Sequence, residues 1–534
     1  MSEVKTLTIT NLGGPLVQRR TGDIDSGMAR YSTSWGYNPY IKPGNLTWVE
    51  QPTSILTLTP STSSTTSIYY MKDRVEAGFS YVYAVGGDKK VYRILMADTS
   101  PSPNKDTTSV ISSVAGSPFY NGGMVFYGGT EKIFIGTNTS IERVNFDGSN
   151  HSVVATAIAN NTPRPMATFQ GKIYFGNFNN IGEIDSTETM VTANKLSPAL
   201  PAGLYTSDLD TTPDGNYLQI TASRTTPAVM LEGASSDPQR TPSDAYKFFW
   251  NGIDTGVTAF EQFRGMTFSA SEVFGSFNYV VGRDIAGGAI FDGSEKVSLP
   301  TINDVFASAT YSIGNVLGVG VPEYDVDTDR SKFSLFHYGK FDQDSPKGLY
   351  RLLFSSAAIR NDVHRVTAVL PVSNFGYAPQ SRGATDNISA VGKFYYATSE
   401  VDDVVEDQMT HLLWRFSLFP VGTGSVVAGV YETQTQLFSK KIAPKEVRLY
   451  TEPLVNGNDF VVDLIGSGGS VISGGSQRFI VAASSIVAGT DMVHFNPQTA
   501  PTYALGVRIT NSSVTGVVNW TATKIEIDYN AGGK

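Results

Sequence analysis

A chain of 534 residues that is 40% apolar and 17% charged can bury several cores, yet it carries less charge than the roughly 25% usual in soluble domains. Its net charge of −9 speaks against a broad phosphate-neutralising face for nucleic acid, and the absence of cysteine excludes disulfides and thiolate metal sites. Its 52 glycines and 26 prolines are spread along the whole length, which favours short strands and tight turns over helices, so the chain reads as all-β.

The N-terminus carries charge at once, at Glu3 and Lys5, and has no apolar h-region, so no signal peptide is expected. No later run approaches the about 18 apolar residues of a membrane span, and the expectation is a soluble protein made in a cytoplasm, without membrane insertion. Residues 1–47 are punctuated by Gly and Pro at 13–15 and 43–44, too often for a packed element, and predict an extended arm. Arg19, Arg20 and Arg30 on that arm are candidates for contact with a neighbouring subunit. An arm folded back on its own propeller is the alternative.

From residue 48 to residue 434 one unit recurs: an aromatic and β-branched strand, a turn with Gly or Asn, and a second strand ending near Asp. Copies run from Tyr81 to Ile94, Lys132 to Gly148, Lys172 to Asp185, Asn278 to Gly293 and Lys393 to Phe416. Weaker copies lie at Tyr217 to Trp250 and at Lys332 to Leu353. The spacing of roughly 40 to 60 residues fits one four-stranded blade per unit, whose two central strands show most strongly because neighbouring blades cover both faces. The prediction is a six- or seven-bladed β-propeller. A series of hairpins in two or three sandwiches is the alternative.

After residue 435 the pattern changes. Glu446 to Tyr450 and Lys524 to Tyr529 alternate polar and apolar, the mark of a sheet with one wet face. Runs at Phe460–Ile465, Phe479–Ala482 and Tyr503–Ile509 supply further strands, and residues 435–534 predict a C-terminal β-sandwich of jelly-roll-like type.

Chemistry-bearing constellations are sparse. The five histidines, His151, His337, His364, His411 and His494, form no His-Glu-x-x-His pair, and neither a Gly-x-Ser-x-Gly elbow nor a phosphate loop occurs. No sialidase-type Ser-x-Asp-x-Gly-x-x-Trp box occurs either. Asp325, Asp327 and Asp329 alternate as calcium ligands can, but Arg330 stands where an EF-hand needs Gly, so they form only a weak metal candidate. The acidic run at Glu400, Asp402, Asp403, Glu406 and Asp407 reads as a solvated loop. The expectation is no enzyme and no cofactor.

The Gly13-Gly14-Pro15 opening, the stretch Pro43 to Leu46 before the first strand, the degenerate blades with Gly-ended strands and the lack of Cys resemble propeller proteins of tailed-bacteriophage virions, particularly the tail nozzle and hub proteins of short-tailed phages. That resemblance implies a structural virion protein located in the tail, present in several copies around the tail axis. It would contact adaptor and fibre proteins and line a passage through which DNA is ejected without sequence-specific binding. A propeller that binds host-surface glycans, or a tail-fibre-associated adhesin, is the alternative, and a glycan-cleaving enzyme is third.

Overall fold

The strand Lys172–Asn177 buries every side chain after its first, and its partner Asn180–Ile184 buries all five. Successive residues of a strand point to opposite faces, so burial without alternation requires cover on both sides. A computed structural model shows how that cover arises. It describes residues 4–531 apart from the stretches 18–29, 62–66, 97–106, 119–122, 128–130, 225–243, 300–308, 326–329, 342–346, 355–364, 372–392, 402–408, 418–425 and 513–518 and some single residues and pairs. Its regular elements are all strands.

Seven four-stranded antiparallel sheets follow one another along the chain. Blades 1 to 6 occupy residues 68–113, 124–155, 166–192, 205–263, 267–298 and 309–354. Blade 7 takes three strands from residues 365–417 and its outermost strand, Thr53–Ser61, from before blade 1. The first strand of every blade touches the first strand of the next, and that of blade 7, Arg365–Pro371, touches that of blade 1, Ile68–Glu76. A closed ring with the first strands innermost results, and the early strand closes it with main-chain hydrogen bonds.

Each junction has its own apolar core. Tyr83 and Val91 of blade 1 meet Ile133 and Val144 of blade 2. Phe134 then meets Phe175, Tyr174 meets Trp250, Phe263 meets Phe268, and Tyr279 meets Tyr338 around the ring. Leu352 packs with Phe394 between blades 6 and 7, and Tyr395 with Tyr92 between blades 7 and 1. The expected repeats fall on second and third strands in six of the blades. In blade 6 the copy beginning at Lys332 lies on the third and fourth strands, because the second, Val316–Asp325, is broken up by Gly318, Gly320 and Pro322.

Because first strands run the same way, first-to-second and third-to-fourth turns share one face of the ring. The chain enters blade 7 at Thr53 and leaves it at Ser417 on that same face. There a second unit stands on blades 6 and 7. Its eight strands form one hydrogen-bonded network, with Gln436–Thr451 pairing Thr502–Asn511 at its start and Ala522–Ala531 farther on. The hydrogen bonds thus join this unit into one eight-stranded sheet, where the two sheets of a sandwich were expected. Val447, Leu449, Ile525 and Ile527 face its core, as the alternation predicts, while Arg448 lies opposite Glu526 on the wet face.

The extended arm needs correction. Val4–Ile9 is the edge strand of the second unit, paired with Ala522–Ala531, and buries Leu7 and Ile9. Its short period-two pattern was hidden by the Gly and Pro that follow. Trp35 pairs with Val430, Leu46 with Ala522 and Glu50 with Val426, so residues 426–432 also belong to this unit rather than to the propeller. Gly36 and Gly429 pass face to face: a Cβ on Gly429 would lie 2.7 Å from the Trp48 ring, and Gly36 holds φ +81°. Trp48, fully buried, belongs to one core that also includes Leu335 and Tyr350 of blade 6, Tyr396 of blade 7, and Trp520 and Ile527 of the second unit. Propeller and second unit are therefore fused rather than hinged.

Candidate functional site

The axial channel and the seam between blades 4 and 5 gather one group of charged residues. In Tyr205–Thr211, the innermost strand of blade 4, Asp208 and Asp210 stand two residues apart and share a side. They face Thr267–Phe274, the innermost strand of blade 5. The Ser271 amide donates to Asp208 Oδ2 at 2.8 Å, its hydroxyl donates to Asp210 Oδ2 at 2.6 Å, and Thr221 Oγ1 donates to Ser271 Oγ at 3.0 Å. Farther out, Asn278 Nδ2 donates to Gln219 Oε1 across the same seam. Gln219, Thr221 and Ser223 are fully buried here, so this junction has a polar inner half and only a small apolar cluster around Phe268 and Phe291.

Burial, then repulsion from Asp210, raises the Asp208 pKa well above the carboxylate range. Burial raises Asp210 to about 6, against the pull of Ser271 and Lys72. Lys72, on the innermost strand of blade 1, is solvent-accessible, yet protein surrounds it. Burial lowers its pKa, while Asp210 of blade 4, Glu272 of blade 5 and neighbouring Asp73 oppose that shift. Groups on opposite walls of the hole are thus within electrostatic reach of one another. The chemistry this arrangement offers is proton uptake at a strained carboxylate pair.

A second buried charge lies where blades 2 and 3 meet. Arg164, fully buried between Pro163 and Pro165, donates from Nη1 to Thr162 Oγ1 and, at 3.3 Å, to the Gly176 carbonyl. Its Nε and Nη2 find no partner among the described residues, and burial lowers its pKa to about 10, so it remains a cation. Glu142 is the opposite case. Its buried carboxylate accepts from the Ala115 and Gly116 amides, both at 2.9 Å, and from Ser140 at 2.8 Å, and it pairs with His151 at 2.7 Å. Burial opposes ionisation, but these bonds together hold its pKa below the usual value. It ties the connection between blades 1 and 2 to the ring.

The residues singled out from sequence do not converge. Arg19 and Arg20 lie outside the described residues, while Arg30 begins the short strand Arg30–Tyr31, parallel to Leu16–Val17. Deleting residues 1–45 would remove the Val4–Ile9 strand together with Tyr37, so a lost assembly would not isolate an arm contact. Asp325 ends the second strand of blade 6, and Asp327 and Asp329 lie outside the described residues. Among the described residues no acidic or histidine group is arranged to hold a metal. Of the histidines, buried His337 bonds Tyr40 at 2.6 Å and burial lowers its pKa to about 3, while His494 pairs with Glu446 on the second unit. Asp208, Asp210, Lys72 and Arg164 were not foreseen. The only signal was the Asp-Leu-Asp alternation, which gains meaning once its strand is known to be innermost.

Fold and site define a class: a seven-bladed β-propeller closed by an early strand and fused to an eight-stranded β unit. No protein-family model matches the chain, and no curated protein matches it. Among solved structures it is similar to a chain of the nidogen/laminin complex, at 14% identity and TM-score 0.29, over 44% of this chain and 80% of that one. It is also similar to a chain of the mitotic checkpoint complex, at 8% identity and TM-score 0.40, over 69% of this chain and 91% of that one. At these values neither likeness bears on function.

Proposed function

We propose that the protein is a structural subunit of a tailed virus particle, a nozzle or hub component that repeats around the tail axis and walls part of the passage for DNA. The observation that carries the reading is the fusion of propeller and second unit through one continuous core. Such a body transmits force without flexing at a hinge, as a wall must. The negative charge supports it, because an acidic wall repels phosphate and keeps DNA from adhering. On this reading DNA passes between the subunits of a ring.

The glycan-binding alternative needs exposed ring faces on which sugars can stack. Among the described residues Phe260 and Tyr503 are the exposed aromatic side chains, and they lie on different units. Mass spectrometry of purified particles, with immunogold labelling, tests the proposal. The chain should be present in stoichiometric amounts with label at the tail. Its absence from particles, together with binding on a sugar array, would overturn the proposal.

A further inference from the structure

The strand Gln436–Thr451 carries a bulge. Leu437 pairs with Ala504 and Ile442 with Thr502, so four residues, Phe438 to Lys441, stand where the partner strand has one, Tyr503. The core of the second unit runs out at this corner. Leu437 is 60% and Tyr503 54% exposed, and Val4 on the adjoining edge strand is 60% exposed. Phe438 packs edge-on against Tyr529, and the Lys441 ammonium lies over the Tyr503 ring. Lys5, Lys440, Lys441 and Lys445 surround this apolar ground, all exposed, and none makes an ion pair with a described residue. A basic, aromatic corner is thus built onto a chain of net charge −9.

The complementary surface is on the same molecule. Blades 2 to 4 leave uncovered, on the face that carries the second unit, turns bearing Asp147, Asp185, Asp214 and Asp254. Hydrogen bonds from Ser149, Thr187 and Thr212 foremost hold the first three below the ordinary aspartate pKa, so they are anionic at neutral pH. Ile253, 85% exposed, stands beside Asp254.

We propose that the basic corner of one copy docks on the aspartate turns of blades 2 to 4 of the next. The two surfaces differ, so the contact is heterologous and propagates head to tail, which closes into a ring when the rotation allows. The inference rests on the ring-subunit reading above and supplies its subunit contact.

The test is light scattering of the full chain across concentration at low and high salt. Wild type should self-associate, more weakly as salt rises. The double variant Lys440→Glu, Lys441→Glu, both surface positions, should weaken association by about 10- to 100-fold with an unchanged melting temperature. Leu437→Ser should weaken it at high salt as well. Mixing the Lys440→Glu, Lys441→Glu protein with Asp185→Lys, Asp214→Lys protein should restore contact between them. Association indifferent to both variants would overturn the inference, and so would a wild type that stays monomeric but binds phosphatidylserine vesicles or DNA through these lysines. If the chain is found at the particle's tail while the charge-reversed protein still forms rings, the inference fails and the ring-subunit reading stands. If it is absent from particles, that reading fails by itself.

Discussion

Replacing Asp210 by Asn should stabilise the protein at neutral pH and leave it unchanged in acid. Folded Asp210 keeps its proton up to about pH 6, whereas an unfolded aspartate loses it near pH 3.9. Between those values the folded state binds more protons. The stability contributed is therefore complete below about pH 4 and is lost as pH rises through about 6. A shift of that size corresponds to at most about 3 kcal/mol, and the partial exposure of Asp210 reduces it to about 1–2 kcal/mol. Asn keeps an acceptor for the Ser271 hydroxyl, bonded at 2.6 Å, and removes the charge. Thermal unfolding followed by circular dichroism at pH 7.5 and pH 3.5 should show Asp210→Asn melting a few degrees higher at pH 7.5 and level with wild type at pH 3.5. A lower melting temperature for the variant at pH 7.5 would refute the reasoning, since Lys72 would then stabilise the carboxylate by more than burial penalises it.

Glu142→Ala should cost about 2–4 kcal/mol, because it strands the Ala115 and Gly116 amides in a buried site; denaturant unfolding measures it, and hydrogen exchange should speed up at those two amides. Its low folded pKa adds stability that is present above the unfolded value near pH 4.3 and lost as pH falls through the folded one, so wild type and variant should converge in acid. Arg164→Met should be neutral or stabilising by up to about 2 kcal/mol, since it removes a buried cation with two unpartnered nitrogens; a large loss in the same assay would reveal an unrecognised anion. Arg448→Ala should cost about 1–2 kcal/mol at low salt and less at high salt, because Arg448 joins Glu446 on its own strand to Glu526 and Asp528 on the next; a cost independent of salt would count against a charge network. Gly429→Ala should cost about 1–3 kcal/mol through the clash with Trp48, seen as a shift in tryptophan fluorescence and an earlier melting transition.

The parts of the fold legible in the sequence were those covered on both faces. Strands such as Ile133 to Gly136 and Ile173 to Gly176 are aliphatic, aromatic or small throughout and bounded by turns, so they stand out without a partner in view. Innermost strands do not. Tyr205–Thr211 is polar along much of its length because one edge borders the channel, and its carboxylates look like those of the Asp325 loop until the ring places them. Closure by Thr53–Ser61 joins residues more than three hundred positions apart, as does the pairing of Val4–Ile9 with the last strand, and no local period announces either. The wet face of the second unit was the exception. The alternation at Arg448 and Glu526 predicted both the buried and the exposed side, because that sheet has water on one face only.

Cryo-electron microscopy of the intact particle, reconstructed around the tail axis, tests the central claim most directly. The account predicts a ring of copies in which seven-bladed density, each with its second unit fused over blades 6 and 7, surrounds a passage wide enough for a duplex. A tail whose density accommodates no such propeller, with the purified chain monodisperse and monomeric at every concentration, would contradict it.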